Sequence, residues 1–197
     1  TSTAIMQETL DNLGADVHFY IPNRFTDGYG PNLAVYKYLV ETGTQLIITV
    51  DNGVTGHDEV AYCNDHNVDV IITDHHELPE TLPEATAIVH ARYPDSTYPF
   101  GQLSGAGVAF KVANALMDTV PVDLLDLAAI GTIADVMPLV DENRVIATYG
   151  LQQLQKTDRL GLQALYQVAQ IAPETIDEET VGFALAPRLN ALGRVDD

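Results

Sequence analysis

The chain has no tryptophan, one cysteine and only 9 lysines and arginines in 197 residues. A single cysteine, Cys63, excludes an internal disulfide and a cysteine-cluster zinc site. It falls in a helical pattern and reads as inert packing. Nine basic groups against 28 acidic ones give a net charge of −19, the opposite of the basic surface that phosphate binding normally needs. Two points qualify that. Carboxylates around a bound metal are partly neutralised by it, and a chain cut from a longer protein can leave its basic surface on another segment. The remaining acid excess reads as a solvated exterior. No apolar run approaches the roughly 18 residues of a membrane span, and no basic segment opens a signal peptide. No membrane partner and a cytoplasmic location are therefore expected. The chain opens Thr1-Ser2-Thr3-Ala4 without methionine and stops at Arg194-Val195-Asp196-Asp197 without closing an element, and both ends read as cuts. Apolar residues make up 46%, enough for one domain with a real core, or one and part of a second.

The strongest positive signal is Asp74-His75-His76, which follows the apolar run Val68-Asp69-Val70-Ile71-Ile72-Thr73. A short β-rich run stopping at a carboxylate and two imidazoles reads as a buried strand delivering polar groups at its carboxyl end, the edge where open α/β sheets bind ligands. The pattern occurs once before, where Leu46-Ile47-Ile48-Thr49-Val50 runs into Asp51-Asn52-Gly53. Around these two strands, helix and strand alternate. Residues 3–13 are helical and end at Gly14. Asp16–Ile21 is a strand ended by Pro22, followed by a loop to Pro31. Then come helix 32–42, strand 45–50, helix 56–66, strand 68–73 and strand 86–90. The class expected is α/β, with a doubly wound, mainly parallel sheet whose near-continuous apolar strands are buried on both faces. From about residue 104 the pattern turns helical: 104–117, 122–134, 143–155 and 161–170. One domain over 1–197 is expected, with an α/β part to residue 118 and a helical C-terminal flank over 119–197.

Several residues can carry chemistry, and most admit two readings. Asp51 is either a turn residue or a metal ligand, and the second strand end beside it favours the ligand. Carboxylate with imidazole points to manganese over calcium. From an extended strand His75 and His76 cannot point the same way, so one can ligate a metal while the other faces substrate or a group that supports the ligands. Asp135 closes an apolar helix, where a carboxylate needs a metal, a cap or an ion pair. Ser104 with Gly105 and Gly107 opens a helix, which suits either tight packing or a phosphate cradle. Arg188, Asn190 and Arg194 sit in what reads as a proline-broken loop. The two guanidiniums fit either phosphate oxygens or the acidic surface.

Taken together, Asp51-Asn52-Gly53, Asp74-His75-His76 and Gly131-Thr132-Ile133-Ala134-Asp135 resemble motifs two, three and four of the DHH phosphoesterase superfamily. Three more segments resemble its RecJ branch, the single-strand-specific DNA exonucleases: Pro22-Asn23-Arg24-Phe25 with Gly28-Tyr29-Gly30, Leu103 to Lys111, and Pro187 to Arg194. The resemblance covers the whole chain. It implies 5′-to-3′ hydrolysis of single-stranded DNA in repair and recombination, with two Mn2+ or Mg2+ ions. Asp51 would bridge the ions, and His75 and Asp135 would hold one of them. His76 would face the scissile phosphate and Asp74 would support the cluster, these two forming the catalytic pair. Arg188, Asn190, Arg194, Ser104 and Gly105 would line the substrate path. Single-stranded DNA is the implied partner, with single-strand-binding or replication proteins beside it. The family's first motif, an Asp-x-Asp-x-Asp-Gly strand, is absent, so the chain by itself is expected to be inactive and to bind metal weakly. Val89-His90-Ala91-Arg92 stands where the family has an Asn-Pro pair, which leaves His90 without an assigned role. Two alternatives remain: another DHH phosphoesterase (oligoribonuclease, cyclic-dinucleotide phosphodiesterase or pyrophosphatase), and a catalytically dead scaffold for replication proteins.

Overall fold

The computed structural model describes residues 1–23, 28 and 30–191. In chain order the helices are α1 Ser2–Asn12, α2 Leu33–Glu41, α3 His57–Asp65, α4 Gly105–Met117, α5 Leu125–Ala134, α6 Asp141–Leu154 and α7 Leu160–Ala169. A last helical run joins α8 Glu178–Thr180, a π-helical stretch Val181–Leu185 and α9 Ala186–Ala191. The strands are β1 Leu46–Val50, β2 Asp69–Thr73 and β3 Ala87–Val89. The expected class holds: α/β with a parallel sheet and a helical C-terminal flank.

Two compact units form. One is His18–Gly101, and the other joins Thr1–Val17 to the described residues from Gln102 onward. The division expected after residue 118 therefore falls instead after Gly101. The physical reason lies in α4, which packs on α1 and α5 and so belongs with the helices on either side of it in sequence.

In the unit from His18 to Gly101 the sheet has the order β1-β2-β3, all parallel. Asn32 starts α2 by accepting from the backbone N–H groups of Ala34 and Val35 at 2.9 and 3.3 Å, the usual job of an asparagine cap. Parallel strands need a crossover. Helix α3 supplies it between β1 and β2, and a loop pinned by Leu78, Leu82 and Ala85 supplies it between β2 and β3. The core gathers Tyr36, Ile47, Val54, Val60, Cys63, Val68, Val70 and Ile72. Cys63 is fully buried here, as its packing role requires, and burial first and Glu59 second raise its thiol pKa.

Two expectations fail in this unit. Residues 16–21 form no strand, and Phe19, Tyr20 and Ile21 stand 58, 43 and 68% exposed. A β-rich composition makes a strand only when a neighbour completes its ladder, and no strand pairs with this segment among the described residues. Nor are β1 and β2 uniformly buried. Burial alternates along β1 and along β2 as far as Ile72, with Ile47, Thr49, Val70 and Ile72 buried and Ile48, Val50 and Ile71 half-buried, and Thr73 at the end of β2 is buried too. Burial therefore follows the pleat, whose side chains point alternately to opposite faces.

In the helical unit α5 is apolar all round and almost wholly buried, as a helix enclosed by others must be. Small residues let its neighbours close in. A Cβ on Gly131 would strike Ala106 of α4, and one on Gly150 of α6 would strike the Ala129 methyl and the Leu125 carbonyl. Arg159 ties α1 to α5, donating to Glu8 and to the buried Asp126 at 2.7 Å each. By helix propensity alone, Gly150→Ala should stabilise by about 1 kcal/mol. The close approach predicts the reverse, a loss of about 1–3 kcal/mol from overpacking, read as a lower urea midpoint. A gain in stability would show that α6 can move away from α5 without penalty.

Candidate metal centre

The site is built on strand ends. Beyond β1 the ladder runs one residue further, with the Asp51 N–H bonded to the Thr73 carbonyl at 2.9 Å. Asp51 then turns into the left-handed region, φ 66°, which aspartate tolerates better than most residues. Thr49 braces the turn by donating its hydroxyl to the Asn52 carbonyl at 2.7 Å. Gly53 must be glycine: its φ is 119°, and a Cβ would lie 2.5 Å from the Thr49 hydroxyl. Asp51-Asn52-Gly53 is thus a turn that displays one half-exposed carboxylate.

At the end of β2, Asp74 is 1% exposed. Its carboxylate accepts from the N–H groups of His75 (2.7 Å), His76 (3.2 Å) and Val54 (3.2 Å) and from His76 Nδ1 (2.7 Å). Burial pushes its pKa up, but these hydrogen bonds outweigh burial and hold it below the ordinary carboxylate value. Asp74 faces inward and organises the loop.

His75 Nε2 lies 3.1 Å from Asp51 Oδ1. One ligand atom each from Asp51, His75 and His76 lies within 4.8 Å of the others. Opposite ligands of a single first-row divalent ion sit roughly 4 Å apart, so the three are gathered on the scale of one ion. The donor set, a carboxylate oxygen and two imidazole nitrogens, is one that manganese accepts. The opposed orientation expected for the two histidines does not apply, because β2 ends at Thr73. His75 and His76 lie in a loop that gathers their rings, with centroids 4.6 Å apart and planes at 52°.

The other expected site residues that are described belong to the helical unit. Asp135 caps α5 in the helical unit and is exposed, so the buried apolar setting read from its neighbours does not exist. The helix closes with the Met137 N–H bonded to the Thr132 carbonyl and Val136 in the left-handed region, φ 54°. Glycine is usual there, and for a β-branched residue the backbone strain costs about 1–2 kcal/mol. The Ser104 hydroxyl accepts from the Gly107 N–H at 2.9 Å and meets the Thr132 hydroxyl at 2.9 Å. Ser104 and Gly105 are buried, so capping and tight packing account for them. Residues 186–191 are helix α9, not loop, and they carry Arg188 and Asn190 exposed. Pro187 stands inside the continuous helical run, directly after the π-helical stretch Val181–Leu185, and a π-helical turn is one of the irregularities that accompany a proline within a helix. Arg194 lies outside the described residues.

Sequence reading assigns no role to His90 or Arg92. Both lie just past β3, and the strand-end rule that finds Asp51 and Asp74 would flag them as well. His90 is buried and meets the His76 carbonyl at 2.8 Å through Nε2. Its Nδ1 accepts from the Arg92 N–H at 3.0 Å, so the proton sits on Nε2. Burial, above all, lowers its pKa, which favours this neutral ring.

The DHH family, N-terminal domain, matches residues 1–132. The chain belongs to the DHH family. Within it, the likeness is to RecJ, as the motifs implied. The single-stranded-DNA-specific exonuclease RecJ of Bacillus subtilis (strain 168) is 54% identical over 196 residues, which cover all of this chain and 25% of that protein. RecJ of Escherichia coli (strain K12) is 39% identical over 214 residues, all of this chain and 37% of that protein. The chain thus spans a quarter to just over a third of the length of these relatives. A crystal structure of exonuclease RecJ bound to manganese superposes with a TM-score of 0.88 at 37% identity, covering 98% of this chain and 49% of that one. RecJ of Thermus thermophilus in complex with Mn2+ superposes with a TM-score of 0.82 at 35% identity, covering 98% of this chain and 28% of that one. No helix among the described residues is long and apolar enough to cross a membrane.

Proposed function

We propose that this chain is part of the catalytic core of a metal-dependent exonuclease that removes nucleotides from the 5′ end of single-stranded DNA, in repair and recombination. The observation that carries the reading is the gathering of Asp51, His75 and His76 at two strand ends, in a chain that superposes over 98% of its length on a manganese-bound RecJ. Asp51 and His75 would hold manganese or magnesium, and Asp135 is kept as a further ligand on the resemblance alone. When bound, such ions polarise phosphoryl oxygens and lower the pKa of a bound water, and paired ions do so for both the attacking and the leaving oxygen. The chain's own residues do the rest. Asp74 accepts the Nδ1–H of His76, which leaves Nε2 as the atom that His76 presents to the scissile phosphate. Arg188, Asn190 and Arg194 are assigned to the substrate path, where a guanidinium pairs bidentately with phosphate oxygens. Single-stranded DNA is the implied partner, and single-strand-binding or replication proteins are the implied accessories.

The test is a substrate panel on the protein carrying this chain, at full length and with manganese present. The expected result is release of mononucleotides from 5′-labelled single-stranded DNA, with little from a blunt duplex. Preference for a cyclic dinucleotide, a short RNA or pyrophosphate would move the chain to another branch of the family. No hydrolysis of any of these would leave the scaffold.

A further inference from the structure

We propose that His90, together with Arg92, is a positioning residue that clamps the His75–His76 loop from its carbonyl side. The proposal rests on the reading of Asp51, His75 and His76 as the metal centre. The loop lies beyond the end of β2, so no strand ladder fixes its peptide planes. Side chains do so instead. On the N–H side Asp74 accepts from both His75 and His76. On the carbonyl side His90 Nε2 donates to the His76 carbonyl at 2.8 Å, and Arg92 Nη2 donates to the carbonyls of His75 and His76 at 3.0 and 3.3 Å. All four backbone polar groups of the pair are therefore taken by three side chains.

The clamp is itself held. The Arg92 N–H bonds to His90 Nδ1, which fixes the tautomer that donates to His76. The Asp74 N–H bonds to the Val89 carbonyl at 3.2 Å, which joins the root of the loop to β3. Gly101 lies against the Arg92 stem, where a Cβ would come within 3.0 Å of the arginine Cγ. Fixing both faces of two successive peptides fixes where the two Cβ atoms point, and hence the spacing of the imidazoles. Groups that orient metal-binding side chains in this way typically change affinity or activity about 10–100-fold when removed.

The experiment compares His90→Ala, His90→Gln and Arg92→Ala with the unchanged protein at full length. Three quantities are read: amide hydrogen exchange in the metal-free state, manganese affinity, and kcat against KM on single-stranded DNA. In His90→Ala, exchange at His75 and His76 should rise about tenfold while Ile72 stays protected. Manganese should bind about tenfold more weakly, and kcat should fall about 10–100-fold with KM within about threefold. His90→Gln, whose amide can both donate to His76 and accept from Arg92, should recover most of each loss. Unchanged exchange and affinity in His90→Ala, or no recovery with glutamine, overturns the clamp. Should His90→Ala expose Ile72 as well, Arg92→Ala decides. It removes only an exposed side chain, and it must speed exchange at His75 and weaken manganese binding, or the clamp is wrong. An unchanged protein that neither binds manganese nor hydrolyses DNA overturns the proposed function, while the exchange data still report on the clamp.

Discussion

Asp51→Asn is expected to cut release of nucleotides from single-stranded DNA by about 1000-fold, some 4 kcal/mol of barrier, and to weaken manganese binding in step. Asparagine is the most conservative change available here. It matches the size of aspartate and also tolerates the left-handed backbone that Asp51 adopts, so the turn braced by Thr49 survives. What is lost is the charge beside His75 Nε2. His76→Ala is the paired measurement. If His76 serves the phosphate, activity falls while manganese stays bound. If the His76 variant loses metal as completely as the Asp51 variant, His76 is a ligand, an outcome that its place in the same cluster makes concrete. An Asp51→Asn protein with near-normal turnover would remove Asp51 from the centre altogether.

Asp74→Ala is expected to lower stability by about 3 kcal/mol and to abolish metal binding, although Asp74 would touch neither metal nor substrate. The change strips three backbone N–H groups and one imidazole of their acceptor, and unsatisfied buried donors cost about 1–3 kcal/mol each before relaxation. Asp74→Asn should recover only part, because its amide nitrogen must face at least one of those donors. Urea unfolding of both variants checks the size, and a loss below about 1 kcal/mol for Asp74→Ala would mean that water replaces the carboxylate freely. The sign with pH follows from the hydrogen bonds. The folded-state pKa of Asp74 is lowered, so its contribution is present above the unfolded carboxylate value, near 3.9, and fades as pH falls through the lower folded one.

What is legible in the sequence is the rule that strands of a parallel sheet deliver their chemistry at the carboxyl end. It locates Asp51, Asp74, His75 and His76 from composition and order alone. The same rule applied to β3 reaches His90. That residue is left without a role because its three-residue strand is followed by residues unlike the family pattern. Residues 16–21 mislead because strand propensity is a property of pairing, and a one-dimensional pattern does not contain the partner. The surroundings of Asp135 are not legible, because an apolar neighbourhood in sequence is not one in space: the end of α5 turns outward at Val136. Ser104 is legible as a cap.

β1 stands at the end of the strand order, and among the described residues nothing pairs with its far side. A bare edge is a template on which another copy can lay its own edge, and Leu46, 45% exposed, adds an apolar foothold. What opposes such stacking is the charge of −19. Its reach shrinks from about 10 Å at 0.1 M ionic strength to about 3 Å at 1 M. In colloidal terms these 197 residues are expected to resemble a charge-stabilised suspension, in which salt more than concentration sets when two copies meet edge to edge.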